Sequence, residues 1–329
     1  MVMRRLASGA LGLLFFLASS LAAAPASQWP DAGRSVQVIV PTQAGSGVGN
    51  TIARIITEAL AERLGNRISL QNLTSSNNFP GMLASIEAST DGYTLLFATV
   101  DTLVIEPGLN RSPAFDPLEY FSAVGLVAQI PHILVVNNEL PAYSVAELTE
   151  YIDKYPGVVH FGSSGNGSAL HLAGEFYLSA TGTNMVHVPY SAAELATNNL
   201  VSGDIQAMFQ VVSGVLNYVK ADKVRALAVM SSQRSPALPD VPSMEEAGFP
   251  SLQASRWYAL LAPSGTPRDI IDHYNAALNE VLESPDVRHR LLELGATTMG
   301  GAPQDLDRHL KNETEKWGAI IREAHLQPR

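Results

Sequence analysis

The stretch from Val36 to Arg54, VQVIVPTQAGSGVGNTIAR, restricts the fold more than any other part of the chain. Val36-Gln37-Val38-Ile39-Val40 is apolar and β-branched, the composition of a strand covered on both faces. Pro41 has no amide to give to a ladder and ends the strand. Gly45, Ser46, Gly47 and Gly49 make a small-residue loop, and Asn50 or Thr51 can cap the helix that follows. That helix carries Ile52, Ile55, Ile56, Ala59, Leu60 and Leu64 on one face, and Gly65 stops it. The first amides of such a helix lack internal partners and, with the helix dipole, favour a carboxylate or phosphate. Glycines let the ligand approach the backbone. The same residues also suit an ordinary strand-to-helix turn that binds nothing.

The plan repeats. Residues 68–72 and 93–99 read as strands, separated by a polar loop at 74–78 and a short helix at 82–88. Two apolar runs, 124–129 and 133–137, flank Ile130-Pro131-His132 and read as a crossing between domains. Ser144 caps a helix over 145–155, with Glu147 completing a capping box. A strand at 158–162 enters a second glycine-rich loop, Ser163-Ser164-Gly165-Asn166-Gly167-Ser168, which opens a helix over 169–178. Strands at 185–189, 205–210, 224–230 and 258–262 alternate with helices at 192–201 and 215–220. Helices at 268–283, 285–294 and 306–324 finish the chain. Alternating strand and helix implies parallel sheets. Two α/β lobes, each with a helix N-terminus at a flexible loop, imply a cleft that closes on a small molecule.

The length of 329 residues suits two domains. There is no cysteine, which excludes disulfides, thiolate metal sites, a cysteine nucleophile and lipid attachment through cysteine. Arg4 and Arg5 precede an apolar, Ala/Ser/Gly-rich run at 6–24 that ends in small-x-small sites. Residues 1–26 are therefore predicted to be a cleavable signal peptide, with an uncleaved membrane anchor as the rival, and the mature protein to be soluble and periplasmic. A formal net charge of −10 argues against a nucleic-acid partner.

Longer motifs carry a resemblance. FGSSGNGSALHLAGE from Phe161, VHVPY from Val186, KVRALAVMS from Lys223, RSPALPDVPSMEEAG from Arg234 and WYALLAPSGTP from Trp257 join DGYTLL from Asp91. In that order and spacing they closely resemble the tripartite tricarboxylate transporter receptors, the Bug-type periplasmic binding proteins, from about Trp29 to the C-terminus. The resemblance implies a type II periplasmic-binding-protein fold with lobe 1 at 27–130 plus 253–329 and lobe 2 at 131–252. It implies capture of a di-, tri- or aromatic carboxylate by backbone amides, small hydroxyls and water. It also implies delivery to the large and small permease subunits of a tripartite transporter, by a receptor that is a monomer. The candidate ligand residues are Thr42, Gly45, Ser46, Gly47, Asn50, Asn78 and Thr99 in the first lobe. Ser164, Asn166, Gly167, Ser168, Tyr190 and Gln210 are the candidates in the second.

The chain departs from the family where ligand would touch. The first loop is one residue longer than the family's PFPPGGxxD, with Asn50 in place of Asp. Ser75-Ser76-Asn77-Asn78 replaces a glycine-rich tract, Ser191-Ala192 replaces Lys-Gly, and Gln210 replaces Asp. Amides donate to carboxylates where acids would prefer an amino group, so a ligand without an essential cation is expected. The alternative is that both amides are solvent-facing substitutions. Arg256 could supply a countercharge but reads more simply as a surface residue, and Trp257 as core or cleft wall rather than a stacking platform. His171 and Glu175 have metal-pair spacing without a third ligand, so a structural role is expected. No nucleophile elbow or general base is visible, so neither an enzyme nor a cofactor is expected. A Rossmann enzyme would want glycine at Asn50 and an acid after the second strand, where Gln71-Asn72 stands. A sensor for a membrane signalling partner would use the same cleft as a transport receptor.

Overall fold

The structure is a computed structural model that describes residues 29–31, 33–42, 45, 47–73, 79–109 and 116–326. The predicted signal segment and the candidates Ser46 and Asn78 lie outside these residues.

Strand β1 (Val36–Val40) leads into helix α1 (Gly47–Leu64), then β2 (Ile68–Asn72), α2 (Phe79–Ile86) and β3 (Thr94–Thr99). A π-helical turn, Asp101–Ile105, runs into α3 (Glu106–Leu109); α4 (Pro117–Tyr120) precedes the long strand β4 (Phe121–Val136). The middle of the chain supplies α5 (Val145–Lys154), β5 (His160–Ser163), α6 (Ala169–Thr181), β6 (Val186–Pro189), α7 (Ala193–Ser202), β7 (Ala207–Val211), α8 (Val212–Lys220) and β8 (Arg225–Val229). The chain ends with β9 (Ser255–Pro263), α9 (Arg268–Glu283), α10 (Pro285–Glu293), the short β10 (Thr297–Thr298) and α11 (Pro303–Glu323).

The elements follow the predicted pattern, with instructive differences. Ser144 Oγ accepts the Glu147 amide at 3.1 Å, and the Glu147 carboxylate takes the Tyr143 amide, so α5 has its cap. Gly65 and Gly182 sit at positive φ just beyond α1 and α6, where a β-carbon would strain the chain. Helix α1 begins at Gly47, three residues before the predicted cap. Asn50 is thus inside the first turn and buried, and its side chain turns sideways to neighbouring strands rather than capping. The two apolar runs around Pro131 are one strand. Pro131 is tolerated because the ladder changes partners beside it: residues 121–131 pair with β9, and 132–136 pair with β7.

The strands follow one path, β2-β1-β3-β9-β4-β7-β5-β6, with β10 and β8 also pairing with β4. Two mixed sheets share β4. The first holds parallel β2, β1 and β3 with antiparallel β9. The second holds parallel β5, β6 and β7, with β7 antiparallel to β4. Helices cover both faces, and Ile270, Tyr274, Leu278 and Val281 bury one stripe of α9. This is the two-lobed α/β architecture of periplasmic solute-binding proteins.

Among the helical glycines, Gly174 of α6 is the most tightly enclosed: a β-carbon there would lie 2.3 Å from the Phe161 ring. That ring is held against His187, with centroids 4.9 Å apart. Gly174→Ala is expected to cost about 1–3 kcal/mol by overpacking. Gly162→Ala meets mainly the end of Ile205, also at 2.3 Å, which can swing away. Urea denaturation should place Gly174→Ala clearly below Gly162→Ala, and equal midpoints would contradict the packing described.

Candidate functional site

Strand direction fixes where a ligand can bind. In the first sheet β1 lies between β2 and β3, so the chain leaves β1 to one side and returns on the other. A crevice forms at the carboxyl ends of strands at such a reversal. The second sheet repeats this, with β5 between β6 and β7. Strand β4 runs in the same direction as β1 and β3, leaving the first sheet at their carboxyl ends. Strands β7 and β5 run the opposite way: Val211, at the end of β7, pairs with His132, while Ala207, at its start, pairs with Val136. The carboxyl ends of both parallel sets therefore face one another across residues 130–132. The two glycine-rich loops predicted to bind anion leave β1 and β5 at these ends.

The first loop is braced by side chains. Thr42 Oγ1 accepts the Asn50 amide at 2.9 Å, Asn50 Oδ1 accepts the Asn72 amide at 2.7 Å, and Asn72 also donates to the Thr42 carbonyl at 3.0 Å. These bonds tie the ends of β1 and β2 to the first turn of α1. Gly45 and Gly47 are exposed with positive φ, which leaves the backbone approachable. Thr99 closes β3, lies opposite Tyr258 on β9, and contacts Thr102 Oγ1 at 3.3 Å.

In the second loop, Ser168 caps α6 by accepting the His171 amide at 3.3 Å. The Gly167 amide, predicted to meet ligand, donates instead to His171 Nδ1 at 3.0 Å. A β-carbon on Gly167 would lie 2.7 Å from Leu109, so the loop packs against α3. Ser164 is half-buried and Asn166 is exposed. The loop rests on two stacked imidazoles, His171 and His187, 3.7 Å apart. His187 Nε2 lies 2.7 Å from Ser163 Oγ, and His171 Nε2 lies 3.2 Å from Glu175. Burial, then the neighbouring His171, lowers the His187 pKa to about 4. The His171–Glu175 pair thus supports the loop, and among the described residues no group of three or more acids and histidines is placed to hold a metal.

Tyr190 is half-buried, its amide bound to the Ser163 carbonyl at 3.0 Å. Gln210 is only 3 % exposed. Its side chain donates to Thr197 Oγ1 at 3.3 Å and accepts the Val211 amide at 2.9 Å. The solvent-facing reading of Gln210 and Asn50 therefore gives way: both are buried and engaged within their own lobes.

Arg256 was underestimated by sequence. It is only partly exposed: it faces Ile130 on β4, just before β4 enters the second sheet, and pairs with Asp101 at 3.2 Å. Asp101 follows β3, far away in sequence, so no local pattern announces the pair. Trp257, on the opposite face of β9, is fully buried as expected of core.

The fold and the facing crevices are those of solute-binding receptors. Residues 52–326 match the tripartite tricarboxylate transporter family receptor, and the chain belongs to that family. It is similar to the protein BugT of Bordetella pertussis, 32 % identical over 310 residues that cover 94 % of each chain. Among solved structures it resembles R. palustris Rpa4515 with adipate, at 30 % identity and a TM-score of 0.77 over 92 % of this chain and all of that one. It also resembles MatC from Rhodopseudomonas palustris with bound malate, at 29 % identity and 0.71 over 87 % of this chain and 98 % of that one.

Proposed function

We propose that this chain is exported to the periplasm, where it traps a small carboxylate between its lobes and hands it to the membrane permease of a tripartite tricarboxylate transporter. The lobes are 27–130 with 253–329, and 131–252. One observation carries the reading: two strand-reversal crevices, each with a glycine-rich loop entering a helix, face each other across the shared strand β4. First-turn amides of α1 and the loop from Ser164 to Ser168 are the groups suited to an anion. The adipate and malate in the similar R. palustris structures support the ligand class.

The ligand needs no amino group. Asn50 and Gln210 are amides, and Asp101, the carboxylate at the end of β3, is already paired with Arg256. Calorimetry on the mature protein, with mono-, di-, tri- and aromatic carboxylates beside amino acids, tests this. Binding at micromolar or lower Kd is expected for a carboxylate without an ammonium group. Binding of amino acids alone would overturn the reading.

A further inference from the structure

Where β9 runs beside β4 toward the second sheet, two buried polar atoms lack hydrogen bonds of normal geometry. Tyr258 is 1 % exposed, and its hydroxyl makes no hydrogen bond of normal geometry, although the Arg256 guanidinium lies close enough to interact with it. The buried Nε of Arg256 has none either. Both side chains project from β9 on one face, two residues apart, and Thr99 of β3 lies directly opposite Tyr258. The tyrosine stacks on Phe97, with centroids 5.6 Å apart, and its hydroxyl oxygen lies 3.7 Å from where a β-carbon on Gly49 would stand. The hydroxyl is thus held against the first turn of α1, where helix amides point outward. A buried hydroxyl and guanidinium N–H left unpaired are costly. Here they converge with a helix N-terminus on one spot.

Arg256 is enclosed by the protein, but 30 % of its side chain still meets solvent, as expected of a group lining a crevice. Asp101 holds one terminal nitrogen and fixes the plane of the fork. A guanidinium has five N–H donors, so others remain. The Arg256–Asp101 pair sums to zero charge, and the dipole of α1 adds partial positive charge at this end.

We propose that Arg256 and Tyr258, beside the first turn of α1, form a subsite for one carboxylate of a dicarboxylate whose other end meets the loop from Ser164 to Ser168. This rests on the carboxylate-receptor reading above and narrows it. Arg256 sets specificity by donating charge-assisted hydrogen bonds, and Asp101 orients it.

Calorimetry with adipate, malate and the monoamide of each tests it. The unaltered protein should bind at least one dicarboxylate about tenfold or more tighter than its monoamide. Arg256→Gln should weaken that dicarboxylate about 10- to 100-fold, and Tyr258→Phe less, with monoamide binding changed less than about twofold. Because Arg256→Gln strands Asp101, the double variant Asp101→Asn with Arg256→Gln is measured too, with its thermal melt as a check on folding. Dicarboxylate affinity unchanged in the folded double variant overturns the subsite. So does equal affinity of the unaltered protein for diacid and monoamide, which leaves the general receptor reading standing. If the unaltered protein binds none of these compounds nor any other carboxylate, both readings fall.

Discussion

Glu313→Leu should lower the stability of the protein by about 3–5 kcal/mol. Glu313 lies on α11, only 7 % exposed, and one carboxylate oxygen accepts both indole N–H groups that reach it, Trp257 and Trp317, each at 2.9 Å. Its other oxygen takes the Lys316 ammonium. Leucine fills the space but leaves two buried indole donors unpaired, at about 1–3 kcal/mol each, and leaves the Lys316 ammonium with the Gln253 carbonyl at 3.3 Å. Glu313→Gln keeps an acceptor for the indoles and should cost about half as much. Burial pushes the Glu313 carboxyl up, but Lys316 and the bonds from both tryptophans together pull it below its usual value. A depressed folded pKa contributes stability above the unfolded value and loses it as pH falls. Two of the three tryptophans report directly on this contact, so urea unfolding followed by their fluorescence is the measurement. Unfolding of Glu313→Leu at the same urea concentration as the unaltered protein would refute the assignment.

Stability should also fall steeply on mild acidification, with His132 as the main source. It lies where β4 passes from one sheet to the other, 0 % exposed, and neither ring nitrogen has a hydrogen-bond partner. Burial first, then the positive Arg256 and Lys316, lower its pKa to about 3; the Ala254 carbonyl opposes this without a hydrogen bond of normal geometry. The unfolded imidazole binds a proton near pH 6.5, and the folded one does not until about pH 3. Stability from this group is therefore whole above pH 6.5, declines at ~1.4 kcal/mol per pH unit below it, and stops declining near pH 3. By pH 4.5 the loss from His132 is on the order of 3 kcal/mol. His187 acts in the same direction down to about pH 4, but it is only half-buried and solvent screening reduces its share. Carboxylates add a slope of their own, so the comparison is with His132→Leu, whose stability between pH 6.5 and 4.5 should fall less than that of the unaltered protein. Parallel curves would remove His132 as the cause.

Local patterns carried much of the fold. The strand-loop-helix stretch from Val36, the capped helix after Ser144 and the amphipathic stripe of α9 are written in neighbouring residues, and they appear where expected. The start of α1 moved because Gly47, Val48 and Gly49, which propensity would leave as loop, join the first turn. Pro131 looked like a break because sequence cannot show a ladder exchanging β9 for β7 beside it. The two glycine-rich loops proposed to meet the ligand were legible, and both leave strands at the facing carboxyl ends. Their supports were not: the Thr42–Asn50–Asn72 brace, the His171–His187 stack and the Arg256–Asp101 pair each join distant segments. Gly167 looked like a free donor until the fold brought His171 Nδ1 to its amide.

Strand β4 belongs to both sheets, and the chain returns beside it: Ile130 faces Arg256, and the His132 amide donates to the Ala254 carbonyl at 2.9 Å. The halves are thus joined here by a hydrogen-bonded ribbon instead of slack tethers. Such a ribbon yields by twisting about its length more readily than by folding sharply, because twist preserves its rungs. A closing movement carried as torsion through the rungs at 130–132 would act beside Arg256, which faces Ile130. A group gripping that arginine would load the axle itself.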